Sequence, residues 1–175
     1  MAVSTRVCDT SEGLVYIRQG RLGDLKALVA LEKAVFGRHA LDPSTLFWLL
    51  LRHWPGLLIA EQSGVLVGYI LTRVSFLSRW TRRGGITSIA VSPAYLRQGI
   101  GRRLMEVALE FLIRARVKAI DLEVSVDNTA ALSLYLSLGF ADEKPLPNYY
   151  GPNEHGLRMT LYTSDDSSAS REGPD

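Results

Sequence analysis

Sulfur chemistry is nearly absent from this sequence. Cys8 is the one cysteine, which excludes an intrachain disulfide framework and fits a reducing cytosol. It stands in a polar N-terminal stretch, the setting of a surface thiol rather than of a nucleophile. Long apolar runs are missing too. The longest, "LFWLLL" at Leu46 to Leu51, is far too short to cross a bilayer. "MAVSTRVCDT" carries no continuous apolar segment of the kind that directs secretion. The expectation is a cytoplasmic protein with no membrane association. His39, His53 and His155 are scattered without metal-ligand spacing, so no metal site is expected. Charge of one sign is also scarce: the net value is +2, too small to announce nucleic acid. The basic loop "RWTRRGG" has no interleaved aromatics along a face, so direct nucleic-acid binding is not expected either.

What is present describes an ordinary globular chain. The 175 residues are 47% apolar and 22% charged, enough for one domain with a real core. The last twelve residues, "SDDSSASREGPD", hold four acids and one arginine, which leaves the rest of the chain at +5. The reading is a flexible N-terminus over 1–12, one domain over 13–163, and a disordered tail over 164–175.

Periodicity orders the elements. "LVYIRQG" alternates as a first strand. "LGDLKALVALEKAVF" is helical, and "LDPSTLFWLLLRHW" is a second helix with Asp42 as N-cap and Pro43 in the first turn. "GLLIAEQSGVLVGYILTRVS" predicts a hairpin turning at Ser63-Gly64. "ITSIAVS" is a buried strand, followed by a glycine turn and a helix from Gly101 to about Arg116. "KAIDLEVSV" is a strand, and "DNTAALSLYLSLGF" a helix stopped by Gly139. Two strands close the order, the last being "LRMTLYT" after a loop containing "NYYGPNEHG". The class is mixed α/β, with about seven strands and four helices.

The stretch "SPAYLRQGIGRRLM" is chemically informative. A strand, a glycine turn and a new helix gather backbone N–H groups that have no intrahelical partner, and the helix dipole adds positive charge there. Glycine admits an anion close to the backbone. Gln98, Gly99, Ile100 and Gly101 with Arg97, Arg102 and Arg103 suit a diphosphate. Leu104 occupies the third position after Gly101, so the dinucleotide fingerprint fails, and Gly-Lys-Ser/Thr is absent as well. An arginine-rich helix start without a ligand gives the same pattern.

"IAVSPAYLRQGIGRRLM", "LEVSVDNTAALSLYLSLGF" and "NYYGPNEHG" occur in the order and at about the spacing of the GNAT superfamily of acetyl-CoA-dependent N-acetyltransferases. More narrowly, the chain resembles bacterial ribosomal-protein-alanine N-acetyltransferases and the catalytic subunits of N-terminal acetyltransferases. The resemblance covers roughly Leu14 to Tyr162 and is strong from Ile86 to Tyr150. It implies a GNAT fold, with a central sheet splayed at the acetyl-CoA site and the coenzyme A pyrophosphate on the glycine turn. The motif's usual Gln or Arg three residues before the first glycine is Leu96 here, which puts only side-chain support in doubt.

The resemblance also distributes roles. Ile89, Ala90 and Val91 lie along the pantetheine arm and pair with it through backbone groups, like an added strand. The Val91 N–H faces the thioester carbonyl. Asn128 bonds the cofactor, although Asp127 and Asn128 also suit a helix cap. Leu132 packs on the pantetheine, two turns of helix aligning it with Asn128 and Tyr135. Tyr135 protonates the departing thiolate, although a tyrosine at such spacing is more often plain core. Glu123 is the general base, acting through water. A solvated strand face of Asp121, Glu123 and Ser125 gives the same alternation. Some eukaryotic relatives add a second residue near Gly85, where this chain has no side chain. Tyr149 and Tyr150 form one wall of the acceptor groove, and the first two helices line the other.

The reaction implied is direct transfer of acetyl from acetyl-CoA to a protein N-terminal α-amine, by a monomer or weak dimer. The same fold acting on lysine or a small amine is the nearest rival. A catalytically silent acyl-CoA-binding module is the rival from another class.

Overall fold

The computed structural model describes residues 6–10, 13–75 and 83–163. The tail from Ser164 and residues 79–82 of the basic loop lie outside them. Among the described residues there are eight strands and four α-helices. The strands are β1 (Arg6–Thr10), β2 (Gly13–Gln19), β3 (Leu57–Gln62), β4 (Val65–Ser75), β5 (Arg83–Val91), β6 (Ala119–Ser125), β7 (Ala141–Gly151) and β8 (Glu154–Tyr162). The helices are α1 (Leu25–Phe36), α2 (Pro43–His53), α3 (Ile100–Arg114) and α4 (Thr129–Ser137). Hydrogen bonding orders the strands β1-β2-β3-β4-β5-β6-β8-β7. The β5–β6 pair is parallel, whereas β1–β2, β2–β3, β3–β4, β6–β8 and β7–β8 are antiparallel.

The chain divides into two compact units, Met1–Arg73 with Thr87–Phe111, and Val74–Ile86 with Leu112–Asp175. In the first unit, α1 and α2 cover strands β3 and β4. Leu28 and Leu31 of α1 and Leu46 and Leu50 of α2 are buried with Leu57, Ile59, Tyr69, Leu71 and Ala90 in one cluster. Asp42 caps α2 as expected, its Oδ1 accepting from Ser44 N and Thr45 N, both at 3.0 Å. Those amides and the Ser44 and Thr45 hydroxyls hold its carboxyl well below the usual range. The β3–β4 turn falls at Ser63-Gly64, with φ of 49° and 80°. Two successive left-handed residues match the twist of a tight hairpin.

Two sequence expectations need correction. Residues 6–10, expected within a flexible N-terminus, pair with β2 from Arg6↔Ile17 to Thr10↔Gly13, so Cys8 belongs to a strand. That raises the strand count to eight. Much of "NYYGPNEHG", expected as a loop, is strand: Asn148, Tyr149, Tyr150 and Gly151 end β7, and Glu154 to Gly156 open β8. Pro145 and Pro147 disguise β7 in the sequence, but it ends the strand order, and an outer strand tolerates missing N–H donors.

In the second unit, the parallel register of β5 with β6 runs from Arg83↔Ala119 to Gly85↔Asp121, while β6 pairs with β8 along its whole length.

Packing at Gly56 gives a stability test. A Cβ there would stand 2.2 Å from Thr72 Oγ1 and 2.5 Å from the Thr72 backbone oxygen. No rotamer relieves a clash with backbone, so Gly56→Ala should cost about 1–3 kcal/mol, read as a lower urea midpoint. Gly23→Ala meets nothing within 4 Å and serves as the control, staying near wild type.

Candidate active site

The predicted site residues fall into two groups, each within one unit. In the first unit, β5 ends at Val91 and Ser92 N donates to Val67 O at 2.8 Å, fixing the strand end against β4. A short 3₁₀ turn, Pro93–Tyr95, leads into the glycine turn. Arg97 and Gly99 both take positive φ, 62° and 79°, on either side of Gln98. A Cβ at Gly99 would touch nothing within 4 Å, so conformation rather than space calls for glycine there. The first helical bond of α3 is Arg103 N to Gly99 O at 3.0 Å. The N–H groups of Ile100, Gly101 and Arg102 therefore have no acceptor within the helix.

These residues fit an anionic diphosphate. Amides converge at the head of a 15-residue helix, Arg97 and Arg102 are exposed beside them, and alternating backbone hands make an anion-binding nest. Gln98 Oε1 is buried without a hydrogen-bond partner, a polar group that a bound ligand could satisfy. Arg103 is shared with Glu106 at 3.0 Å. Ala90 is buried, and Ile89 and Val91 are half-buried. Sequence reasoning passed over Gly68. A Cβ on it would stand 3.0 Å from Ala90 O, 3.3 Å from Leu104 Cδ1 and 3.4 Å from Val91 Cγ2. The bare backbone of β4 thus lets the end of β5 pack closely.

The second unit holds the titratable residues. Glu123 lies on β6 directly across from Arg158 of β8. Arg158 donates from Nε (3.1 Å) and Nη2 (3.0 Å) to the same oxygen, Oε1, of a carboxylate only 18% exposed. Asp121, on the same side of β6, is 6% exposed, so this is not a solvated strand face. Arg158 was not singled out from sequence; only the β6–β8 register reveals it.

Tyr135 is 6% exposed on α4, its ring 6.0 Å from that of Phe140. Burial pushes its phenol up to about 12. Asn128 is the N-cap of α4, with Oδ1 accepting from Ala131 N at 3.1 Å, so of the two cap candidates it is Asn128 that caps. Leu132 is half-buried.

Tyr149 and Tyr150 pack edge to face, centroids 4.9 Å apart at 87°. Tyr149 is 51% exposed. Tyr150 is pushed up to about 12, chiefly by burial and further by the charges of Tyr149, Glu123 and Tyr135. Four of the six residues predicted in this unit, Glu123, Tyr135, Tyr149 and Tyr150, therefore share one electrostatic neighbourhood. The arch carrying the tyrosines is built on two left-handed asparagines, Asn148 at φ 55° and Asn153 at 62°. Asn153 N donates to Asn148 Oδ1 at 2.9 Å, and Asn148 N donates to His155 Nδ1 at 3.2 Å. His155, read as a loop histidine, is a strand residue that braces this arch.

The fold is that of an acetyltransferase. The sequence signature of the acetyltransferase (GNAT) family matches residues 25–140, and the chain belongs to that family. It is 30% identical over 155 residues to the N-alpha-acetyltransferase of Sulfurisphaera tokodaii, spanning 82% of this chain and 90% of that one. The ribosomal-protein-S18-alanine N-acetyltransferase from Escherichia coli superposes with a TM-score of 0.76 at 28% identity, over 85% of this chain and 93% of that one. The NatC complex bound to Gag peptide and CoA shares the fold, with a TM-score of 0.79 at 22% identity over 86% of this chain and 99% of that one. Among the described residues no helix is long and apolar enough to cross a membrane, and no three His, Cys, Asp or Glu side chains gather as a metal set.

Gly156 supports the tyrosine pair. A Cβ there would lie 3.2 Å from Tyr149 Cβ and 3.3 Å from Tyr150 Cε2. Gly156→Val should displace the pair with little loss of secondary structure. The expected readout is a changed near-ultraviolet tyrosine circular dichroism beside an unchanged far-ultraviolet spectrum.

Proposed function

We propose that this acetyltransferase moves acetyl from acetyl-CoA to the N-terminal α-amine of a protein, by direct attack in a ternary complex. The observation that carries the reading is the neighbourhood of Tyr150: paired tyrosines on a braced arch share one field with a carboxylate and a buried phenol. Relatives named for N-alpha and ribosomal-protein-alanine acetylation support the same acceptor class.

Acetyl-CoA supplies an electrophilic thioester carbonyl. In this reading the Gln98–Arg103 turn, with Arg97, holds its diphosphate on Ile100, Gly101 and Arg102 amides. The backbone of Ile89, Ala90 and Val91 aligns the pantetheine, and the Val91 N–H stabilises the carbonyl oxygen as it gains charge. Asn128, its Oδ1 committed to the cap, offers Nδ2 to the cofactor, and Leu132 packs beside it.

Glu123 receives the amine proton through water, its orientation fixed by Arg158 on one oxygen. An α-amine, with a pKa about 2.5 below that of lysine, asks only moderate basicity of that carboxylate. Tyr135, raised to about 12, keeps its proton throughout the neutral range and so has one to give the thiolate. Tyr149 and Tyr150 hold the peptide backbone. In this reading the enzyme works in the cytoplasm as a monomer or weak dimer. A ribosomal-protein N-terminus is the first acceptor to try.

The test is coenzyme A release with acetyl-CoA and short peptides beginning in Ala, Ser or Met, each also with a blocked α-amine, beside a lysine peptide and spermidine. Turnover should vanish on blocking. Glu123→Gln should then lower kcat by about 100-fold or more, and Tyr135→Phe should lower kcat with the peptide KM unchanged. Turnover confined to lysine or spermidine would overturn the α-amine assignment, and acetyl-CoA binding without any turnover would favour a silent module.

A further inference from the structure

Helix α1 buries an acid in the middle of its apolar stripe. Glu32 is 1% exposed, beside Leu28 and Leu31. Three donors converge on its carboxylate. Leu41 N donates to Oε2 at 3.0 Å. Ser88 Oγ donates to Oε1 at 3.0 Å, and the Tyr69 hydroxyl donates to the same oxygen. The Tyr69 and Ser88 oxygens are themselves 2.8 Å apart. Tyr69 is fully buried on β4, whereas Ser88 is half-buried on β5.

The partners stand at informative places. Leu41 precedes Asp42, the cap on which α2 begins. Ser88 precedes Ile89, the first residue of the segment read above as the acetyl-CoA strand. A single carboxylate thus joins the connection between α1 and α2 to β5. Such a group is expensive to bury, and only satisfied donors justify its place. Burial pushes its carboxyl above the ordinary range, and the Leu41 amide and Ser88 hydroxyl oppose that push.

We propose that Glu32 is a positioning residue: through Leu41 and Ser88 it ties the start of α2 to β5, and so sets how tightly the acceptor is held. The proposal rests on the reading that α1, α2 and β5 face acceptor and acetyl-CoA. Donor accounting says which variants keep the tie. Gln at position 32 retains an oxygen for the Leu41 N–H, and its amide can donate to the Ser88 and Tyr69 oxygens once those hydroxyls rotate. Ala retains neither.

Wild type, Ser88→Ala, Glu32→Gln and Glu32→Ala are compared by steady-state kinetics on whichever amine wild type acetylates, and by amide hydrogen exchange. Ser88→Ala should raise the acceptor KM about tenfold, the effect of one hydrogen bond to a charged group, with acetyl-CoA KM and kcat unchanged. Glu32→Gln should restore the wild-type acceptor KM. Glu32→Ala should raise it like Ser88→Ala and speed exchange of the Leu41 amide. An acceptor KM unmoved by Ser88→Ala overturns the proposal. So does a Glu32→Gln variant that loses kcat as Glu123→Gln does, which would make Glu32 a proton acceptor. Should Glu32→Ala not fold, Ser88→Ala and Glu32→Gln decide alone. Failure of the α-amine reading shows separately, in the acceptor preference of wild type.

Discussion

Backbone amides that a helix cannot satisfy for itself are the constraint around which the first unit is organised. α3 begins at Ile100, and its first amides have no acceptor within the helix. In most proteins a side-chain cap would absorb them, yet no Ser, Thr, Asp or Asn stands from Tyr95 to Ile100. Instead the chain reaches the helix through two left-handed residues, Arg97 and Gly99. Arg97 adopts that conformation despite its Cβ, a cost of the order of 1 kcal/mol that a structure sustains when geometry is otherwise determined. The close approach at Gly68 and the Ser92–Val67 bond supply that determination from the β4 side.

The second unit solves a different problem, holding an arginine-bound carboxylate and a nearly buried phenol. Arg158 lies across the ladder from Glu123 and donates twice to one of its oxygens. Tyr135 packs beside the Phe140 ring and is nearly buried, so its neutral form is favoured. A phenol so placed keeps its proton throughout the neutral range.

The glycine turn was legible in sequence as a turn because its residue types carry the meaning, whereas roles for Glu123, Tyr135 and the tyrosine pair were expected from the family resemblance. Asp42 and Ser63-Gly64 were legible for the same local reason. Arg158 was not: "LRMTLYT" alternates, and nothing in it says which arginine faces which acid until β6 and β8 are set in register. Gly68 and Gly156 look like weak strand residues until the atoms their missing Cβ would strike are known. β7 was obscured by its own prolines, whose tolerance depends on strand order rather than on sequence.

Glu32 shows the same limit in its sharpest form. At i, i+3 and i+4 spacing, Leu28, Leu31 and Glu32 share one helical face, so pattern alone puts an acid where a leucine belongs. Read locally, that is either a shifted helix or a mistake. The explanation lies 9, 37 and 56 residues further along the chain, at Leu41, Tyr69 and Ser88. A hydrophobic residue would fill the same volume and leave the Leu41 amide and one of the two hydroxyls without the carboxylate, at about 1–3 kcal/mol for each donor that stays buried and unpaired. The acid is therefore dictated by the fold's connections rather than by the helix that carries it. A break in an otherwise regular apolar stripe is a reason to ask which distant backbone or hydroxyl group that residue satisfies.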